Sequence, residues 1–206
     1  MEKIFKNKIY IKILLIALII FLEIAIITSC AENDNINTAC DLPYSKSLYL
    51  DNNLIYATYT SLCGGDVLES GLAIAEIGEE PIEIGRGGAT KGWANDIYVE
   101  GKYAYIANGI NGFLIINISD KQNPYIESRV DTPGYANSIF ILDEYAFIAD
   151  GEMGIQVIDL TNKKDPIVIE NYDTPGYAFD VFIYEGMAYV ADGQSGLQII
   201  DITIAK

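Results

Sequence analysis

From about Pro43 onward the chain alternates short apolar runs with polar turns, and no stretch shows a helical period. The clearest set lies between Tyr135 and Tyr172. Tyr135–Leu142 and Tyr145–Ala149 are two apolar runs, Asp150-Gly151 follows, and Ile155–Leu160 is a third. After Asn162-Lys163-Lys164-Asp165-Pro166 comes a fourth, Ile167–Tyr172. Each run has strand length and strand composition. Asp-Gly between two such runs predicts a hairpin, because glycine supplies the positive φ of a tight turn. Gly154 just beyond it makes this loop slightly longer than two residues.

The pattern repeats. Ala107-Asn108-Gly109, Ala149-Asp150-Gly151 and Ala191-Asp192-Gly193 recur at 42-residue intervals (107 to 149 to 191). Asp131-Thr132-Pro133-Gly134-Tyr135-Ala136 returns as Asp173-Thr174-Pro175-Gly176-Tyr177-Ala178. A fixed period of this size identifies a repeat architecture. In the third run of the last unit, Leu197, Ile199 and Asp201 share one face, while Gln198, Ile200 and Ile202 share the other. Apolar residues on both faces require cover on both sides. A four-stranded sheet packed between two neighbouring sheets provides it, which is a propeller blade. The predicted fold is all-β and β-propeller-like, with about four blades of four antiparallel strands.

The first and last units depart from the rule. In the first, Leu54–Thr58, Gly71–Ile77 and Pro81–Gly85 match the second, third and fourth strands, with an insertion at Tyr59–Ser70. The last unit stops at Ile202-Thr203, one strand short. Four routes to closure stay open: a strand from around Cys40–Tyr44, a three-stranded blade, combination of two chains, or a truncated product. An open arrangement exposes sheet faces and edges and invites association.

The N-terminal end is of another kind. Lys3, Lys6, Lys8 and Lys12 precede an apolar stretch, Ile13–Ile27, interrupted by Glu23 and closed by Thr28-Ser29-Cys30. This reads as an export signal over residues 1–29, with Cys30 placed as the lipidated first residue in a lipobox-like sequence. The alternative is an uncleaved membrane anchor. Residues 30–42 are polar and read as a tether, and 43–206 as the repeat domain. An exported chain meets an oxidising compartment, so Cys40 and Cys63 form a candidate disulfide.

The net charge of −16 disfavours nucleic acid and anionic headgroups. No histidine is present, which removes Ser-His-Asp and Cys-His catalysis and histidine metal sites. The Asp-Gly turns lack the alternating oxygen ligands of a calcium loop. Asp159 and Asp201, with Asn117 and Glu76 in equivalent places, sit inside apolar strands and are read as structural groups satisfied by backbone amides of a neighbouring blade or turn, because they recur in every unit.

The start of each first strand varies more. Trp93, Asn95 and Asp96 correspond to Tyr135 and Asn137, and to Tyr177 and Asp180. In a propeller these positions ring one mouth of the central channel. They form the candidate binding site, suited to a protein or glycan ligand, with packing between blades as the competing role. No catalytic residue, metal ligand or cofactor is assigned.

The units resemble the LVIVD-repeat family of bacterial β-propeller-like proteins. The residues that carry the resemblance are Tyr-Ala-Tyr-Ile-Ala-Asn-Gly (103–109), Tyr-Ala-Phe-Ile-Ala-Asp-Gly (145–151) and Met-Ala-Tyr-Val-Ala-Asp-Gly (187–193), with the glycine-led strands ending at Ile118, Leu160 and Ile202. The resemblance spans about Leu48–Ile202 and implies an exported or surface-associated protein with no single activity. The expected role is a non-enzymatic binding module, lipid-anchored at the outer membrane or cell surface. A structural component that pairs through blade edges, including a homodimer, is the alternative. A lyase or hydrolase using Asp96 and Asp180 comes third.

Overall fold

The computed structural model describes residues 40–63, 66–77 and 82–202. The export signal, Cys30 and most of the tether lie outside the described residues. Among the described residues sixteen strands form four antiparallel sheets arranged as successive blades. The first blade contains β1 (Cys40–Tyr44), β2 (Leu48–Asp51), β3 (Leu54–Cys63), β4 (Asp66–Glu76) and β5 (Ile82–Thr90). The second contains β6 (Asp96–Glu100), β7 (Tyr103–Ala107), β8 (Phe113–Asn117) and β9 (Tyr125–Val130). The third contains β10 (Ser138–Leu142), β11 (Tyr145–Ala149), β12 (Ile155–Asp159) and β13 (Ile167–Tyr172). The fourth has three strands, β14 (Asp180–Tyr184), β15 (Met187–Ala191) and β16 (Leu197–Asp201). The innermost strands β2, β6, β10 and β14 contact one another in series.

The core lies between blades, as strands apolar on both faces require. Between the second and third, Tyr105, Ala107, Phe113 and Ile115 meet Ile139, Ile141, Ala146 and Ile148. Between the third and fourth, Phe147, Ala149, Ile155 and Val157 meet Val181, Ile183, Ala188 and Val190. The isoleucine, valine and phenylalanine side chains among these each contribute about 1.5–3 kcal/mol when fully buried. The outer strands are also layered. Residues 121–124 of the second blade lie so close to β5 that a Cβ at Gly85 would collide with the Lys121 carbonyl and one at Gly87 with the Pro124 carbonyl. Ser128 of β9 donates to the Lys163 carbonyl at 2.7 Å.

The Asp-Gly turns are hairpin loops with a second task. Gly151 and Gly154 both have φ of +64°, and Tyr177 lies flat on Gly151, where a Cβ would come within 2.9 Å of its ring. The Asp150 carboxylate is fully buried and accepts from Thr132 Oγ1 at 2.6 Å and Gly134 N at 2.9 Å. Asp192 takes the same bonds from Thr174 and Gly176. Each turn is thus clasped by the Thr-Pro-Gly segment that leads into its own blade.

Three expectations change. Cys40–Tyr44 does not complete the fourth blade. It pairs with the far end of β3, beside it in sequence, and so takes in the last residues assigned to the tether. The insertion Tyr59–Ser70 is no loop: β3 and β4 simply run on through it as a longer hairpin. Asp159 and Asp201 are not buried within their strands, although Asp159 does have a turn amide as its partner. Asp201 is exposed, and Asp159 is partly exposed at its strand's end, where it accepts from the backbone of Thr161 at 2.8 Å.

Two outcomes follow from this geometry. Cys40 and Cys63 are directly opposed in the β1–β3 register. Opposed antiparallel residues have Cα atoms about 4.5–5.5 Å apart, within disulfide span. Maleimide labelling of the denatured chain without reductant is expected to spare both cysteines, and full labelling would refute the bond. Asp150→Ala strands the Thr132 hydroxyl and Gly134 N–H and is expected to cost about 2–4 kcal/mol in urea unfolding. Asp150→Asn keeps an acceptor, as Asn108 does in the second blade, and is expected to cost less than about 1 kcal/mol. Burial raises the Asp150 carboxyl above its ordinary 3.8, against the opposing pull of Thr132 and Gly134. The folded chain then holds this proton to higher pH than the unfolded chain. Relative to Asp150→Asn, the wild type is expected to lose stability as pH rises from below 3.8 through the raised value, then level off.

Candidate functional site

The residues singled out by sequence do converge. Residues 93–96, 135–138 and 177–180 are the approaches to the innermost strands, and each is held by the same backbone bond. Asn95, Asn137 and Phe179 donate their N–H groups to Ala107, Ala149 and Ala191, each at 2.8 Å. Consecutive blades are then joined by paired backbone bonds, Gly109 with Ala136 and Gly151 with Ala178. The conformation of these approaches is therefore set by the turn of the preceding blade.

Side chains reinforce that joint. Asn95 Nδ2 donates to the Ala136 carbonyl at 2.8 Å, and Asn137 Nδ2 to the Ala178 carbonyl at 3.0 Å. Tyr135 rests on Gly109 as Tyr177 does on Gly151. Burial, the largest effect, raises the Tyr135 hydroxyl above its ordinary value. Trp93 carries Lys46, whose ammonium lies 5.8 Å from the ring centroid and donates to Asn95 Oδ1 at 2.8 Å.

Asp96 and Asp180 belong to a chain of hydrogen bonds across the blades. Ser47, Asp96, Ser138 and Asp180 occupy equivalent places at the start of the four innermost strands, alternating hydroxyl with carboxylate. Asp96 Oδ1 accepts from Ser47 Oγ at 2.7 Å and its neighbour Ile97 N at 2.9 Å. Its Oδ2 accepts from Ser138 Oγ and Ile139 N, both at 3.0 Å. Ser138 Oγ also lies 2.6 Å from Asp180 Oδ1, which accepts from Val181 N at 2.9 Å. A serine hydroxyl has one proton, so Ser138 serves the two carboxylates between them. Asp180 Oδ2 has no bond among the described residues.

Sequence reasoning missed Lys46, Ser47 and Ser138. The last was readable, since Asp96, Ser138 and Asp180 are 42 residues apart (96 to 138 to 180). Ser47 was displaced from that spacing by the longer hairpin of the first blade. The fourth blade breaks the asparagine rule: Phe179 stands where Asn95 and Asn137 reach forward. It is 55% exposed and lies 4.7 Å from Tyr177, centroid to centroid.

One surface is unlike the rest. The register of β14, β15 and β16 places Asp180, Ala191 and Leu197 in one cross-strand row, Phe182, Tyr189 and Ile199 in the next, and Tyr184, Met187 and Asp201 in the third. In the third blade Ile155 and Val157, the counterparts of Leu197 and Ile199, are fully buried under the fourth blade, while Phe140, the counterpart of Phe182, is half-buried and Leu142, that of Tyr184, is 42% exposed. Here Phe182, Tyr184, Leu197 and Ile199 are 55–64% exposed. Ile167, Val168 and Ile169 of β13 are also exposed, because the fourth blade lays no outer strand beside them among the described residues.

The LVIVD repeat profile matches residues 91–132, 133–174 and 175–203, more than half of the chain. The chain belongs to the LVIVD-repeat family. The three matches coincide with the second, third and fourth blades, each beginning at the approach to an innermost strand. No curated protein matches this LVIVD-repeat chain. Among solved structures it is similar to the crystal structure of the computationally designed Ika4 protein, with a TM-score of 0.57 and 8% identity. That alignment covers 82% of this chain and 94% of the designed one, and supports the fold alone.

The hydrogen-bond chain predicts unequal effects of two similar substitutions. Asp96→Ala leaves the Ser47 hydroxyl and the Ile97 and Ile139 N–H groups without this acceptor, and Ser138 with Asp180 alone, and is expected to lower stability by about 3 kcal/mol. Asp180→Ala removes fewer bonds and is expected to lower it clearly less. Urea unfolding followed by circular dichroism reads the difference, and equal losses would contradict this assignment.

Proposed function

We propose that this LVIVD-repeat protein is a non-catalytic interaction module, lipid-anchored through Cys30 at the cell envelope, that engages a protein through the open face of its fourth blade. The observation that carries the reading is the exposure of Phe182, Tyr184, Leu197 and Ile199 together on one sheet face. Contiguous apolar surface of this kind on a folded protein marks an interaction site. The rest of the chain is strongly acidic, which keeps its other surfaces solvated and directs association to this one. The export-type N-terminus and the Cys30 sequence support the location.

A second reading keeps the sequence-predicted mouth as a small-ligand site. It is favoured by the exposed Phe179 beside Tyr177, where the other blades have an asparagine turned inward. Asn95, Asn137 and Asp96, however, spend their hydrogen bonds within the protein, so this site would rest on Trp93, Tyr177, Phe179 and Asp180.

The two readings separate by cross-linking in the native cell. A photoreactive phenylalanine analogue at position 182 is expected to give a protein adduct, and the same analogue at exposed Tyr125 is not. Absence of any protein adduct at position 182 refutes the proposed function.

A further inference from the structure

We infer that the open face of the fourth blade is closed by the same face of a second copy of this chain, in a two-fold dimer. The inference rests on the proposed interaction role of this face and names its partner.

The first argument is elimination within the molecule. A head-to-tail contact would need a free blade face at the other end of the series. On the far face of the first blade Ile55, Tyr59, Ala73 and Ala75 are each 3% exposed or less and offer no comparable apolar area. Between identical copies the fourth-blade face is then matched with itself. That contact is isologous and closes at two copies instead of growing into a filament.

The second argument is self-complementarity. A two-fold axis lying along the middle row sets Phe182, Tyr189 and Ile199 against themselves, an aromatic and aliphatic centre. It exchanges the outer rows. Asp180 then faces the partner's Tyr184, a phenol donor for the carboxylate oxygen that has no bond within the described residues. Ala191, the smallest residue of the face, meets the partner's Met187. Small against large is the arrangement by which packed sheets interdigitate.

The third argument is charge. Two copies each carrying −16 repel at long range, so a stable contact cannot set carboxylate on carboxylate. The nine-residue face holds only Asp180 and Asp201, at opposite corners. The same axis puts each opposite a non-acidic residue, Asp201 against the partner's Leu197. Asp180 and the partner's Asp201 end up two strand spacings apart, roughly 10 Å, close to the distance at which salt screens exposed charges. The second and third blades show that a sheet of this composition packs sheet on sheet, since both bury the centre of the equivalent face, Tyr105, Phe113 and Ile115 in one and Phe147, Ile155 and Val157 in the other.

Sedimentation equilibrium of the full-length chain in detergent, from about 1 to 50 μM, tests the inference. The wild type is expected to be a dimer. The double variant Phe182→Lys/Ile199→Lys is expected to raise the dissociation constant at least about 100-fold, with unchanged circular dichroism. Tyr184→Phe is expected to raise it several-fold. Ile167→Lys/Ile169→Lys, on β13 outside the face, is expected to leave it unchanged. A monomeric wild type, or a dimer that survives the double variant, overturns the inference. If the double variant does not fold, the position-182 cross-link decides: an adduct of twice the chain's own mass supports the dimer. An adduct of any other mass overturns the dimer while leaving the interaction role standing, and no adduct removes both.

Discussion

Every blade of this protein depends on its neighbour for cover. A strand such as Phe113–Asn117, buried along its whole length, is stable only while sheets lie on both sides of it. A single three- or four-stranded sheet of this composition would present a large apolar area to water on each face. Stability is therefore a property of the joints more than of the blades. The polar groups follow the same logic: the asparagines, the clasped aspartates and the serine–aspartate chain all sit where one blade meets another or where a turn must be held for the next blade to dock.

This explains which parts were legible in the sequence. The strands at 145–149, 155–159 and 167–172 were readable because alternation, Asp-Gly turns and the 42-residue period are local signals. The blade architecture was readable because Leu197–Ile202 is apolar on both faces. The first blade was harder. Tyr59–Ser70 has no counterpart in the other units, and a segment that breaks a repeat reads as a loop even when it extends two paired strands. Cys40–Tyr44 joined that extension because β3, prolonged beyond the blade, offers an unpaired edge close by in sequence.

The candidate site was legible in part for a related reason. Its residues were found because they vary within a fixed frame, but what each side chain does depends on contacts between blades. The carbonyls of Ala136 and Ala178, which take up Asn95 and Asn137, become acceptors for those residues only after docking. The aspartates of the third strands were misplaced because a carboxylate at the end of an apolar run looks the same in sequence whether it enters the core or turns back to its own backbone. Among the described residues, the open face of the fourth blade became visible as residues only once register and exposure were known, although the missing strand had already announced an imbalance.

The alternation of Ser47, Asp96, Ser138 and Asp180 gives the protein a parity. Each carboxylate needs a hydroxyl beside it, so the hydrogen-bonded unit is two blades long although the sequence repeat is one. Removing a single blade from the middle of the series would bring two like groups together, either two carboxylates without a proton between them or two hydroxyls without an anion. Removing a pair would restore the match. Repeats of this kind can therefore be gained or lost with little disturbance only in even numbers.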